Sequence, residues 1–301
     1  MKEYSGAVFF IDILGVGALT KGEIRISDVD YSAHRFKFQD KHSQHHFCAK
    51  ILLKFRRVLI GLTAINKGIK VAQLSDCAFI WSENPNLVVN AARELMWECI
   101  LAGILCRGGL AYGQIVEPDK INTKLGMFIC GGAATEAVQL ESSGKGARVF
   151  INTELPGKLS SIPSDAFTPR KSLIDFSIVD EFLWYRYPDR ITSRLDYIPV
   201  NPLPALHKIA KAIAMLQYSP KFLWNSASQH GLLHLACTIE VMSKETEYFC
   251  KNLGLKFECE NIMVGCKDRI KERYKERSED ICKKIFNSFK QTITKKLEAN
   301  I

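Results

Sequence analysis

Residues 7–17 read Ala7-Val-Phe-Phe-Ile-Asp12-Ile-Leu-Gly15-Val-Gly17, an apolar run that ends in an aspartate and passes directly into Gly-x-Gly. Branched and aromatic residues in a run of this length predict a β-strand. Asp12 is therefore expected at the C-terminal edge of a strand, where α/β sheets bind ligands. The glycines permit backbone conformations that other residues avoid, so the segment 14–17, here called the glycine loop, can turn N–H groups toward a phosphate.

A second aspartate, Asp76, lies between two shorter strand candidates, 69–74 and 77–82. The short separation of these candidates is typical of a tight hairpin. Two carboxylates on neighbouring strand ends indicate a site for divalent cations, because Mg²⁺ takes one or two protein carboxylates and completes its shell with phosphate and water oxygens. Each aspartate alone is equally compatible with an ordinary turn or helix-cap residue.

The composition is that of a globular protein, with 47% apolar and 24% charged residues among 301. Ten cysteines without a C-x-x-C pair are expected to be reduced thiols. No apolar run approaches the roughly 20 residues that span a bilayer, and we expect a cytoplasmic protein with no membrane span. The net charge of +9 suits a polyanionic partner, and a nucleotide, a nucleic acid and an anionic membrane surface all qualify.

Strand and helix signals alternate over the first 151 residues. Their predicted order is β, α, β-hairpin, α, β, α, β. The elements that follow the first strand are a helix over 47–66, the hairpin, a helix capped by Asn84 or Asn86, a glycine-rich strand over 106–116, a helix over 131–141 and a strand over 147–151.

The pattern changes after residue 151, since seven of the ten prolines lie between Pro156 and Pro204. A connector with short strands over 173–179 and 182–187 is predicted for residues 152–204. Helices are predicted over 203–218, 231–249 and 267–297, which makes 205–301 a helical C-terminal region. His230 and His234 lie one helical turn apart, and we interpret them as packing residues because no further ligand follows at a matching spacing.

Four motifs occur in an order that resembles a known family. They are Phe-Ile-Asp12-Ile-Leu-Gly15, Leu-Ser-Asp76 in a hairpin, Arg107-Gly-Gly-Leu-Ala-Tyr-Gly113 and Gly131-Gly-Ala-Ala-Thr-Glu-Ala-Val-Gln-Leu-Glu141. Together they resemble the catalytic domain of class III nucleotidyl cyclases over residues 6 to about 151. Within that class the chain is most similar to the bacterial pyrimidine cyclases of Pycsar antiphage defence systems.

The resemblance implies a ferredoxin-like α/β (α+β) domain with a mixed, largely antiparallel sheet over residues 1–151. It also implies a head-to-tail homodimer with active sites at the interface, a ribonucleoside triphosphate substrate and no nucleic-acid partner. Two Mn²⁺ or Mg²⁺ ions would be held by Asp12, Asp76 and the backbone carbonyl of Ile13. The glycine loop, Leu14, Gly15, Val16 and Gly17, would contact the triphosphate.

Departures from the family pattern bear on the substrate. Purine cyclases carry a lysine and an aspartate that read the base, and Ala72 and Phe128 stand at those positions here. Neither side chain can hydrogen-bond a purine edge, so we expect a pyrimidine, UTP slightly ahead of CTP. Thr135 and Gln139 occupy the positions of the asparagine and arginine that orient the ribose and stabilise the transition state.

Another residue must then neutralise the transition-state charge. Arg107 is the first candidate and Arg148 the second, and each is equally compatible with a structural role. Two other functions remain open, namely a purine cyclase and a nucleotide-sensing domain with a cyclase fold but no turnover.

Overall fold

A single β-sheet organises the chain in this computed structural model, which describes residues 1–36, 44–120, 126–189, 203–252 and residue 287. The strands are β1 (Lys2–Ile13), β2 (Lys70–Leu74), β3 (Cys77–Ser82), β4 (Cys106–Glu117), β5 (Val149–Ile151), β6 (Phe167–Lys171) and β7 (Ile178–Phe182). They are ordered β2-β3-β1-β4-β5-β7-β6. Apart from residue 287, the helix predicted over 267–297 lies outside the described residues.

The described helices occur between the strands as far as β5 and again after β7. They are α1 (Val16–Thr20), α2 (Asp28–Ala33), α3 (Gln44–Ile65), α4 (Pro85–Ala102), α5 (Gly132–Glu141), α6 (Leu203–Tyr218), α7 (Leu223–Ser226) and α8 (Gln229–Asn252), with 3-10 turns at Pro156–Lys158, Ser164–Ala166, Trp184–Arg186 and Pro220–Phe222. Among them, no helix is long and apolar enough to cross a membrane.

The topology confirms the predicted fold class. Antiparallel pairs join β2 to β3, β3 to β1 and β1 to β4, and the βαββαβ order of these strands with α3 and α4 is the ferredoxin-like arrangement. β4 and β5 are parallel, whereas β5, β7 and β6 pair antiparallel. The sheet is therefore mixed and largely antiparallel, as expected.

The two faces of β1 are covered by different helices. Phe9 and Ile11 are fully buried in the main core, which includes residues of α3 and α4. Val8 and Phe10 face the other way, into a smaller cluster that includes the alanines of α5. Because side chains alternate along a strand, Asp12 lies on the α5 face, one residue before the strand ends.

The proline-rich segment adds strands to the same sheet. β6 and β7 occupy 167–171 and 178–182 instead of the predicted 173–179 and 182–187. Pro169 lies inside β6, which is the outermost strand, and an edge strand tolerates proline because one row of its N–H groups has no partner strand. Proline was therefore a weaker guide to strand ends here than the prediction assumed.

Candidate functional site

The end of β1 and the β2–β3 turn bring Asp12 and Asp76 together. The N–H of Ile13 donates to the carbonyl of Asp76 at 3.0 Å, and Asp12 pairs across the sheet with Cys77, the residue after Asp76. Both aspartates are half-buried. Ser75 has a φ of 57°, which closes the tight turn and presents Asp76 beside the strand end.

Two further charged side chains lie on the same face of the sheet. Arg107 of β4 is the cross-strand partner of Asp12, and its Nε forms an ion pair with Oε1 of Glu141 at the end of α5. Glu141 is buried. The predicted transition-state arginine is thus beside Asp12, and a buried carboxylate holds its guanidinium.

The pKa of Asp12 is raised to about 7 in this environment. Burial is the largest cause, followed by the negative charges of Glu141 and Asp76, while Arg107 and the N–H of Ile13 act in the opposite direction. Carboxylates crowded in a partly buried site favour binding of a cation, since a divalent ion removes their mutual repulsion. The donor set of two carboxylates and a backbone carbonyl therefore fits Mg²⁺ or Mn²⁺.

Cys77 lies next to both aspartates but does not belong to the donor set for Mg²⁺ or Mn²⁺. Its Sγ donates to the carbonyl of Leu74 at 3.1 Å. Burial and the charges of Asp12 and Asp76 raise the pKa of the thiol to about 11, so the sulfur stays protonated at neutral pH. Within the described ranges, no group of three or more His, Cys, Asp or Glu side chains is arranged to hold a metal ion.

The glycine loop leaves the strand beside these carboxylates. The N–H of Leu14 donates to the carbonyl of Leu105 at 2.8 Å, and Gly15 has a φ of 94°, a conformation that favours glycine. Val16 is buried and begins α1, whereas Gly17 is exposed and has open space where a side chain would lie. The loop can therefore present its backbone to a ligand.

A cavity of about 360 Å³ joins these parts. Its lining from the sheet and the glycine loop includes Asp12, Ile13, Leu14, Gly15, Gly17, Asp76 and Arg107. Its lining from the C-terminal helical region consists of Asn225, Ser228, His230, Gly231 and His234. None of the residues in this second group was predicted from sequence to belong to the site.

His234 contributes a neutral side chain to this cavity. Its Nδ1 accepts a hydrogen bond from the N–H of Gly146 at 2.9 Å. Burial is the largest of the effects that lower its pKa to about 4, and the nearby charge of Arg107 is the next. Because this ring nitrogen is occupied by a backbone donor, His234 docks α8 onto the α5–β5 connection.

Among known proteins, matches to this chain were found only with solved structures, by similarity of fold. The guanylyl cyclase Cya2 has a TM-score of 0.44 and 10% identity over 60% of this chain and 91% of its own. The guanylate cyclase domain of RhGC from Catenaria anguillulae, in complex with GTP, has a TM-score of 0.41 and 17% identity over 60% and 97%. A bacterial light-regulated adenylyl cyclase has a TM-score of 0.42 and 11% identity over 60% and 52%. No family model and no curated protein matches the chain.

The residues predicted to read the nucleotide lie apart from the aspartates. Ala72 is buried on the α5 face of the sheet, while Phe128 and Thr135 are exposed. Gln139 lines a different cavity of about 720 Å³, beside Asn152 and the β6–β7 hairpin. None of these four residues lines the cavity that contains Asp12 and Asp76.

Arg148 also has another partner. Its Nε and Nη2 donate to the two carboxylate oxygens of Glu181 at 2.7 and 2.5 Å. Its guanidinium lies 4.8 Å from the ring centroid of Phe150. Glu181 is fully buried in this pair, so Arg148 is bound into the β5–β7 packing.

Proposed function

We propose that this chain is a nucleotidyl cyclase, which converts a ribonucleoside triphosphate to a 3′,5′-cyclic nucleotide and pyrophosphate. The observation that carries the proposal is one cavity in which Asp12 and Asp76 lie beside the glycine loop. The raised pKa of Asp12 supports it, because perturbed carboxylates in a cleft are typical of functional sites.

In the proposed reaction, the ribose 3′-hydroxyl releases its proton to solvent water and the 3′-oxygen bonds to the α-phosphorus, while the bond to the pyrophosphate leaving group breaks. Positioning and charge stabilisation account for most catalysis of this kind. The glycine loop would orient the phosphates through its backbone N–H groups. Arg107 would place positive charge near the reacting phosphate, and Glu141 would fix the orientation of its guanidinium.

Asp12, Asp76 and the carbonyl of Ile13 would hold the cations of this site. Two Mn²⁺ or Mg²⁺ ions would supply Lewis-acid polarisation of the phosphates and a lowered pKa of the 3′-hydroxyl. The half-buried position of both carboxylates leaves one side open to the cavity, as substrate access requires.

We propose a pyrimidine nucleotide as the substrate, with UTP slightly ahead of CTP. The small, apolar Ala72 and the aromatic Phe128 occupy positions that resemble the purine-reading positions of the family, and neither offers a hydrogen bond to a purine edge. The cyclic product would then serve as a signal in antiphage defence. A purine cyclase and a non-catalytic nucleotide-sensing domain are the alternatives.

Incubation of the purified protein with Mn²⁺ and an equimolar mixture of UTP, CTP, ATP and GTP tests the substrate. We expect one cyclic pyrimidine nucleotide to dominate, because sites built for a specific hydrogen bond reject analogues that cannot form it. The products are identified by mass spectrometry. Dominant cyclic AMP or cyclic GMP would contradict the pyrimidine proposal, and no pyrophosphate from any nucleotide would favour the non-catalytic domain.

We also propose that two copies of the chain complete each site. The separation of Thr135 and Gln139 from the aspartate cavity supports this, because residues that cannot meet within one chain can meet across a head-to-tail dimer.

The dimer proposal predicts that specific activity falls when the protein is diluted below the dissociation constant of the dimer. In a monomer the two halves of the site lie apart and cannot act on the same substrate, so its turnover should be negligible. Activity measured across a dilution series, alongside the mass from sedimentation, checks this prediction. Unchanged activity per chain in a sample that is fully monomeric would contradict it.

A further inference from the structure

Asn225 links the C-terminal helical region to the glycine loop. It lies in α7 and is only 1% exposed. Its Nδ2 donates to the carbonyl oxygen of Leu14 at 2.9 Å, across 211 positions of sequence. Leu14 is itself buried, so removal of this donor would leave a buried backbone carbonyl without that partner, which is unfavourable.

The same segment packs directly against the next residue of the loop. A Cβ atom at Gly15 would lie 3.0 Å from the ring of Trp224 and 3.1 Å from Nδ2 of Asn225. A side chain at residue 15 would therefore press against α7, and Asn225 and Trp224 form a wall beside Gly15.

The carboxamide oxygen of Asn225 is the unusual part of this contact. It is buried and has no hydrogen-bond partner among the described residues. Asn225 also lines the cavity that contains Asp12 and Asp76. A buried acceptor without a partner is unfavourable, and such a group beside a candidate site is expected where a ligand or its bound water supplies the donor.

We propose that Asn225 is a positioning residue for the glycine loop, and that helices α7 and α8 are therefore part of the nucleotide site. This inference rests on the proposed function. Through its bond to the Leu14 carbonyl, Asn225 holds the loop so that its backbone meets the triphosphate. The two carboxylates at the end of β1 and in the β2–β3 turn are held by the sheet and do not depend on this bond.

Asn225→Ala should consequently separate nucleotide binding from cation binding. We expect affinity for the nucleotide to fall about tenfold, as loss of one buried hydrogen bond predicts, with Mn²⁺ affinity within roughly threefold of the wild type. Binding is measured with 3′-deoxy-UTP and 3′-deoxy-ATP in the presence of Mn²⁺, since neither has the hydroxyl needed for cyclisation. Mn²⁺ affinity without nucleotide is measured from the electron paramagnetic resonance signal of the free ion.

Thr238→Val is the matched control. Thr238 is a buried residue of α8, and its Oγ1 accepts a hydrogen bond from the N–H of Ala147 at 2.8 Å. The control therefore weakens the docking of the same region without touching the glycine loop, and nucleotide affinity should stay within about twofold of the wild type. An equal loss in both variants would assign the effect to docking in general and overturn the role of Asn225.

Asn225→Leu serves if the alanine variant does not fold. It keeps nearly the same size without adding a charge and cannot donate to the Leu14 carbonyl, so the same tenfold order of weakening is expected. Wild-type affinity in the leucine variant, or in a folded alanine variant, would overturn the inference alone. Absence of nucleotide binding by the wild-type chain would instead refute the proposed function.

Discussion

Asp12→Ala and Asp76→Ala should each lower turnover by roughly 10³-fold or more, because charge stabilisation in the transition state depends on both carboxylates. Asp12 lies at the end of β1, Asp76 lies in the turn between β2 and β3, and both line the same cavity. Neither belongs to a hydrophobic core cluster, so both variants should fold. Cyclic-nucleotide formation with saturating Mn²⁺ measures turnover, and circular dichroism checks the fold.

Asp119→Asn provides the control for loss of one carboxylate. Asp119 is exposed beyond the end of β4 and contacts the amino terminus, at the opposite end of the sheet from Asp12. Its substitution should leave turnover unchanged. If either Asp12→Ala or Asp76→Ala retained most of the wild-type activity, the two-cation interpretation would be wrong. An equal loss of activity in all three variants would indicate general destabilisation.

The local part of this site was predictable from sequence. A β-branched and aromatic run fixes β1, the turn between β2 and β3 fixes Asp76, and strand alternation fixes the face on which Asp12 lies. The structure brings Asp12 and Asp76 together as these patterns predicted. Such features depend on residues that are close in sequence or on one cross-strand pair.

The part of the cavity lining that comes from α7 and α8 was not predictable in the same way. Asn225 shows no sequence signal, because its bond to Leu14 joins residues that only tertiary packing brings together. His230 and His234 did show a helical spacing, but their placement over the cavity depends on the docking of α8 through His234 and Thr238. Sequence periodicity predicts that a helix forms, but it does not predict the surface on which the helix docks.

The charge of Asp12 should destabilise the protein when no divalent cation is present. A carboxylate whose pKa is about 7 in the folded state and 3.8 when unfolded binds protons more tightly in the folded state. The contribution of Asp12 to folding stability therefore falls as the pH rises from about 4 to about 7 and stays reduced above that. One pKa unit corresponds to about 1.4 kcal/mol, so we expect Asp12→Asn to stabilise the cation-free protein by about 2–4 kcal/mol at pH 8.

Urea unfolding with a chelator at pH 8, 6 and 4 measures this effect, with Asp119→Asn as the control. The gain from Asp12→Asn should shrink as the pH falls and become small near pH 4, where the carboxyl is protonated in the folded state and close to half protonated in the unfolded state. Saturating Mn²⁺ should reverse the ranking at pH 8, since a bound cation stabilises only the chain that can hold it. A wild-type chain that is at least as stable as Asp12→Asn at pH 8 without cations would show that Asp12 is not under charge repulsion. If Mn²⁺ stabilised both chains equally, Asp12 would not be a ligand.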